Sequence, residues 1–504
     1  MASANRVRRC RRASPPLVVT AISATPYPDS PDVLTAAIRR HAQAISLITA
    51  RTSHLVRAPA SADAQRADRD RRVYYRDWMY DSKLGSQQNH VAAAQPISIG
   101  IEAVRGDGAW IEAADGRRYL DLAAGIATCN LGHSHPAVIA AVLEQMQRLI
   151  HLGGVCAHAP MRDLAARLAG ITPTGVEQFL FSTTGSEANE AALRLARAAT
   201  GRPGVVCFRG SFHGRTQGAL AATTSKAAFR LGLGAGNVHV APFPRPDEME
   251  MSPEDASAHA LKELDQLHRH QLAPQETACY VIEPVQGHGG CHPAGRDFLE
   301  GLRERADTHG ALLVFDEIQT GFGRTGDWFA ALTYGVRPDV MTLAKALGAG
   351  FPLSAIGANE EVMSSMGAGD HGSTFGGNPV SCAAALAGID AMEAEDLPAH
   401  ARNLGARAMA RLDGLAAGHP QLSVRGLGLM IGIEVCDEAQ RTPRPDLTAA
   451  IQAAALREGV MVIASGPEAN VIRILPPLVI TDDELGLALD VLEHTTVGVL
   501  DAAG

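Results

Sequence analysis

ALLVFDEIQTGFGRTGDWFAALTYGVRPDVMTLAKALGAG, residues 311–350, contains two short apolar runs that each lead into a reactive side chain. ALLVF stops at Asp316 and Glu317, and PDVMTLA stops at Lys345. Continuous apolar runs of this length, bounded by turn residues, fit strands buried on both faces of a parallel sheet. In open α/β sheets the chemistry collects beyond the carboxyl ends of the strands. A carboxylate and an amine at neighbouring strand ends therefore share one crevice. There the lysine can form a Schiff base with a carbonyl cofactor and the carboxylate can hold a pyridinium nitrogen. The same two residues equally describe a buried structural ion pair. Small neighbours, Ala344 and Ala346, and the GAGFP that follows leave the lysine accessible.

Working outward, 504 residues with 46% hydrophobic content suffice for more than one domain. A net charge of −9 gives no general attraction to nucleic acid or to acidic membranes. No apolar run reaches the ~18 residues of a membrane span. The eight cysteines are scattered, without a CxxC pair or a zinc spacing, so free thiols in a reducing compartment are expected. The reading is a soluble, cytoplasmic protein. Residues 1–88 differ in texture: Arg6, Arg8, Arg9, Arg11 and Arg12 precede the first acidic residue, Asp29. This extension reads as a partly disordered arm or translated upstream region, with an organelle transit peptide as the alternative. Leu34–Val56 has helical spacing.

From Ile97 the chain alternates like strands, with GDG and ADG turns marking hairpins. His133 and His135 in the following GHSHP turn lack a third ligand nearby, so they read as structural and no metal is expected. In VEQFLFSTTGSEANEAALRLARAAT a strand runs through a glycine turn into a helix. The N–H groups at such a helix start suit phosphate, although many α/β proteins have similar turns. Strand GVVCF leads to RGSFHGRT, and strand TACYVIEPV leads to QGHGG. Taken alone, Phe212 reads as an ordinary core residue.

VFDEIQTGFGRTG, TLAKALGAGFPLSA and GSTFGGNP, in this order, resemble the signature of the class III pyridoxal-phosphate-dependent aminotransferases, and the similarity runs from about Val91 to the C-terminus. The resemblance implies the α/β, aspartate-aminotransferase-like fold type I. Its large domain has a mostly parallel central sheet (residues 156–390), and a smaller α+β domain is built from residues 89–155 and 391–504. It implies pyridoxal 5'-phosphate as cofactor, bonded to Lys345, with Asp316 at the ring nitrogen. Thr184, Gly185 and Ser186 match the phosphate-cradling positions, Phe212 and Ile318 the two ring faces, and Gln319 the contact to the ring hydroxyl. Thr374 matches the residue that reaches the phosphate of a second subunit. That implies a homodimer with shared active sites, further pairing into tetramers being left open. Ile126 and Arg215 match substrate-contacting positions, Glu283 an acid that moderates Arg215, and Arg473 a second carboxylate-binding arginine. His288 departs from the pattern: relatives carry glutamate there, in QGEGG, able to pair with the Arg473 position.

The implied activity is ping-pong transfer of an amino group from an ω-amino acid such as 4-aminobutyrate to 2-oxoglutarate or another 2-oxo acid. The alternatives are an acetylornithine or diamine donor, a decarboxylase or racemase of the same family, and, from another class, a non-catalytic scaffold on this fold.

Overall fold

Burial on both faces marks the central strands of the computed structural model, which describes residues 90, 92, 97–233 and 236–503. The extension 1–88 and the helix expected over Leu34–Val56 lie outside the described residues. Seven strands form the sheet: β4 (Gln178–Ser182), β5 (Gly204–Phe208), β6 (Val238–Ala241), β7 (Thr277–Ile282), β10 (Leu312–Asp316), β11 (Val340–Leu343) and β12 (Ser354–Ala358). Their spatial order is β4-β12-β11-β10-β7-β5-β6. The β11-β10, β10-β7, β7-β5 and β5-β6 pairs are parallel, while β12 is antiparallel to both of its neighbours. One reversed strand therefore interrupts an otherwise parallel sheet. The chain passes from β11 to β12 without a crossover helix, through the short segment that carries Lys345.

Alternate residues of these strands face two separate cores. Val205 and Cys207, Cys279 and Val281, and Val314 pack with the alanine-rich face of the helix Gly185–Thr200, through Ala188, Ala191, Ala192, Leu195 and Ala196. Val206 and Phe208, Tyr280 and Ile282, and Leu313 and Phe315 fill the larger core on the opposite face. Burial on both faces accounts for the unbroken apolar runs in the sequence. Small side chains let the helix approach the sheet closely. Its first turn is fixed by a capping box between Thr184 and Glu187, and it ends at Gly201 with φ 67°.

Three smaller sheets surround this framework. The hairpins expected from Ile97 onward form β1 (Ala103–Asp107), β2 (Trp110–Ala113) and β3 (Arg118–Asp121), joined by β15 (Val460–Met461). β13 (Leu422–Leu427), β14 (Met430–Val435), β17 (Val471–Ile474) and β16 (Ile463–Ser465) form an antiparallel sheet. β8 (Val285–Gln286) and β9 (His292–Pro293) make a two-stranded ribbon. Among the described residues no helix is long and apolar enough to cross a membrane.

One polar chain runs through the larger core. The Leu272 carbonyl can only accept, so His268 Nδ1 donates to it (2.9 Å). His268 Nε2 then accepts from the Tyr280 hydroxyl (2.7 Å), whose oxygen accepts from His309 Nδ1 (2.7 Å). Burial lowers the pKa of both histidines below the ordinary value of 6.5. Below about pH 6.5 the unfolded chain therefore binds more protons than the fold, and stability drains away as pH falls through that window. Thermal melts from pH 7.5 to pH 5 should show Tm falling below about pH 6.5. Tyr280→Phe should cost about 1–3 kcal/mol at neutral pH by leaving His partners unsatisfied. A Tm independent of both changes would contradict this account.

Candidate functional site

Four adjacent parallel strands, β11, β10, β7 and β5, deliver their carboxyl ends to one edge. Asp316 is the last residue of β10, Glu283 follows β7, Phe212 lies in the turn after β5, and Lys345 stands just beyond β11. The register pairs Asp316 with Thr342, and Glu317 N–H donates to the Thr342 carbonyl at 3.0 Å. Lys345 adopts φ 44°, a left-handed conformation uncommon for a long side chain and typical of functional positions. Burial pulls its pKa down to about 8, against the pull of Asp316 and Glu283 and with help from Arg473 and Arg324. An amine near neutrality is suited to nucleophilic and proton-transfer work. Lys345 and Asp316 are thus brought into one electrostatic neighbourhood, as the sequence led us to expect.

Asp316 is held by three donors. Asn189 Nδ2 (2.8 Å) and His213 Nδ1 (2.7 Å) both donate to Oδ2, and Ile318 N–H donates to Oδ1 (3.1 Å). Asn189 also donates to the His213 carbonyl at 2.6 Å, so the two partners brace each other. Burial opposes charge on His213, yet the bond to Asp316 carries its pKa upward. Neither His213 nor Asn189 was singled out from the sequence. The signal for Asn189 was present: it is the polar residue among the buried alanines of its helix.

Glu283 forms no ion pair with Arg215 among the described residues; its Oε1 accepts from Phe212 N–H (2.8 Å) and its Oε2 from Gly287 N–H (2.9 Å), tying two turns together. Burial raises its pKa to about 7, which His213 and those two bonds counteract. Arg215 instead stacks its guanidinium over Phe229 (3.7 Å to the ring centroid) and lies 5.5 Å from that of Phe212. His288 stacks on Phe212, with centroids 5.2 Å apart and planes 26° apart, and meets Phe229 at 5.4 Å. Neither Phe229 nor this aromatic cluster was read from the sequence, because its members are far apart along the chain. Burial, reinforced by Arg473, Lys226, Arg215 and Lys345, pushes the His288 pKa down to about 3, so its imidazole is neutral. Arg473 on β17 is buried, its Nε has no acceptor, and burial lowers its pKa. Among the described residues neither Arg215 nor Arg473 has a carboxylate partner within ion-pair distance.

At the start of the helix Gly185–Thr200, Thr184 Oγ1 accepts from Glu187 N–H, and the Glu187 carboxylate accepts from the N–H groups of Thr183 and Thr184. The N–H groups of Gly185 and Ser186 remain without a protein acceptor among the described residues, and Ser186 Oγ accepts from Arg215 N–H. Ile318 packs against Gly185 so closely that a Cβ there would lie 2.9 Å from Ile318 Cδ1. Gln319 covers Gly287, where any Cβ would collide with its amide, and its Nε2 is buried without a partner. Thr374 and Ile126 are not gathered into this cluster: both are exposed, Ile126 by 51%. In the histidine turn, His133 meets Asp121 and His135 meets Glu395. No cluster of three metal-ligating side chains occurs among the described residues.

A family model for aminotransferase class-III matches residues 91–496. The acetylornithine aminotransferase of Archaeoglobus fulgidus is 39% identical over 389 residues, covering 77% of this chain and 93% of that protein. The 4-aminobutyrate aminotransferase GabT of Escherichia coli is 40% identical over 386 residues, 75% and 89% of the two chains. The 5-aminovalerate aminotransferase DavT of Pseudomonas aeruginosa is 38% identical over 408 residues, 79% and 95%. Among solved structures, a PLP-bound amine transaminase from an uncultivated Pseudomonas species superposes with a TM-score of 0.76 at 33% identity, covering 82% of this chain and 98% of its own. An (S)-enantioselective ω-transaminase from Thermomicrobium roseum gives 0.74 at 32% identity, covering 80% and 92%.

Proposed function

The chain belongs to the class III aminotransferases and is a transaminase of fold type I; from that premise we propose that it uses pyridoxal 5'-phosphate to move an amino group from an ω-amino acid such as 4-aminobutyrate to a 2-oxo acid. The observation that carries this reading is the arrival of Lys345, Asp316 and Phe212 at one sheet edge, from three parallel strands. Relatives named for 4-aminobutyrate and 5-aminovalerate support the donor class, and two arginines that have no carboxylate partner among the described residues, Arg215 and Arg473, suit carboxylated substrates.

The residues present fit the cofactor. The N–H groups of Gly185 and Ser186 suit its phosphate, with Thr184 beside them. Gln319 Nε2, buried and unpartnered, suits the ring hydroxyl, and Phe212 and Ile318 suit the ring faces. Asp316 suits the ring nitrogen, and Lys345 Nζ the carbonyl carbon. When bound, the cofactor supplies a conjugated ring that accepts the electron pair released as the donor's C–H bond breaks. Asp316, held in place by its three donors, would hold a proton on the ring nitrogen. Lys345 Nζ would take the proton from the donor's amino-bearing carbon and deliver it to the cofactor's former carbonyl carbon, base first and then acid. Arg215 and Arg473 orient the substrate carboxylates. Ping-pong kinetics follow because donor and acceptor use one site in turn.

Thr374 is assigned to the phosphate of a second copy's site. Its exposure supports this, as do the apolar side chains beside it: Phe375 is 57% exposed and Val155 82%. Solvent-facing Ile139, Leu143, Met146 and Ile150 add to that surface, and a homodimer is the assembly that would cover it. Residues 156–390 are assigned to the larger domain, and 89–155 with 391–504 to the smaller one. Seven free cysteines among the described residues support a reducing, cytoplasmic setting.

An acetylornithine or diamine donor is the second reading, favoured by the Archaeoglobus relative. A screen of amines in the half-reaction, following conversion of the bound cofactor to its amine form, separates the two. Conversion by 4-aminobutyrate and 5-aminovalerate is expected; conversion by diamines or acetylornithine alone would replace the first reading with the second. His288→Glu should pair with Arg473 and lower the positive potential that repels a second ammonium group. We expect it to raise kcat/KM for diamines relative to 4-aminobutyrate by about tenfold, roughly one charge-assisted interaction. An unchanged ratio would show that residue 288 does not set donor choice.

A further inference from the structure

Arg215 is held by its face. Its guanidinium lies 3.7 Å from the centroid of the Phe229 ring and 5.5 Å from that of Phe212. The two rings meet edge to face, 82° apart with centroids at 6.2 Å, and form a corner with the cation against it. An aromatic face attracts a cation through its ring quadrupole and occupies none of its N–H groups. The planar fork of donors that can grip a carboxylate is therefore left open while the guanidinium is kept in place. An ion pair would do the opposite, fixing the arginine by filling those donors. Among the described residues Arg215 has no such pair.

The corner is braced from both sides. Phe229 lies in a short helical turn, Ala227–Arg230, and the residues leading into it are bonded to the turn that carries Phe212 and Arg215. The Thr223 hydroxyl accepts from His213 N–H (2.9 Å) and Gly214 N–H (3.1 Å). The N–H groups of Thr224 and Ser225 donate to the Ser211 carbonyl (2.8 and 2.9 Å), and Ser211 N–H donates to Thr224 Oγ1 (3.1 Å). Arg215 N–H is itself anchored on Ser186 Oγ at 3.0 Å. This unit adjoins the strand-end cluster. Phe212 N–H donates to Glu283, whose charge acts on Lys345. His288 stacks on Phe212 and lies within electrostatic reach of both Arg215 and Lys345.

We propose that Phe229 is a positioning residue for substrate carboxylates: its ring face holds the Arg215 guanidinium in place before the substrate arrives, with the donor fork open. This rests on the transaminase reading given above, through the part assigned there to Arg215. The gain is one of order. A free arginine gives up rotamer freedom when it closes on a carboxylate, whereas one already stacked has less to lose. Leucine at 229 keeps an apolar side chain and removes the quadrupole; tyrosine keeps the face.

The holoenzyme tests this with butyrate, a carboxylate without an amino group, titrated by calorimetry, alongside kcat and KM for 4-aminobutyrate and Tm. Phe229→Leu should raise the butyrate Kd and the KM about fivefold each, with kcat within about twofold, the size expected when a cation–π contact is lost. Phe229→Tyr should stay within about twofold of wild type throughout. A merely structural ring would lower Tm in Phe229→Leu and leave Kd and KM unchanged; that result overturns the inference, as does a Phe229→Tyr protein as impaired as Phe229→Leu. If Phe229→Leu does not fold, Phe229→Met, whose unbranched chain adapts to the space, carries the test with the same expectation. Wild-type protein that does not bind butyrate overturns the inference too, since no carboxylate then meets the waiting arginine. Wild-type protein that binds butyrate yet is inactive toward every amine counts against the transaminase reading instead, and the butyrate comparison still decides the role of Phe229.

Discussion

Lys345→Ala should lower kcat for transamination by about 10⁴-fold or more, the upper range for loss of a positioned acid–base group that is also the covalent anchor. The fold should survive the change. Burial drags the Lys345 pKa from 10.5 to about 8, so the folded protein holds this cation against a penalty. The sign is clear: with the folded value below the unfolded one, the charged amine is a cost at pH 7, and removing it cannot remove stabilisation from that source. Tm of the cofactor-free protein should therefore be unchanged or higher. The measurements are turnover, the visible absorbance of the bound cofactor, and a melt. Activity within tenfold of wild type would end the assignment of Lys345.

Asp316→Asn should lower kcat by about 10³-fold, as expected when a preorganised charge is removed from a site that depends on it. Unlike the lysine change, it should also destabilise the protein. Oδ2 of Asp316 accepts from two buried donors, Asn189 Nδ2 and His213 Nδ1. An amide offers one oxygen and one N–H₂ in place of two acceptors. Whichever way it turns, it satisfies one side and sets donor against donor on the other, at about 1–3 kcal/mol per stranded group. The combined signature is a large loss of kcat with a lower Tm. A loss of stability with normal turnover would leave Asp316 a structural residue only.

The sheet and the lysine–carboxylate pair were legible because the information is local. ALLVF and PDVMTLA are too apolar for anything but a strand buried on both faces, and a polar residue at the end of such a strand must face the edge. The hairpins before Asp121 announced themselves through GDG and ADG. What the sequence did not show was the side-chain traffic between distant segments. That Glu283 would serve two backbone N–H groups and not Arg215 depends on how the turns after β5 and β7 settle against each other. The packing of His288 against Phe212 and Phe229 depends on three loops at once. The left-handed turn at Ala124–Ala127 was hidden for a different reason: three of its four residues disfavour that conformation, so local preference pointed away from it.

The reversed strand β12 bears on how the enzyme repeats itself. On the proposed role of Lys345, its amine would have to leave one place and return to it in each cycle. A parallel successor would have sent the chain away across a face of the sheet, leaving the lysine on the first turn of a long excursion. Because β12 runs back beside β11, both ends of the lysine's segment are stitched into one edge by the pairing from Val340–Ala358 to Leu343–Ala355. The lysine thus sits on a short bridge clamped at both abutments, which suits an amine required to come back to one position.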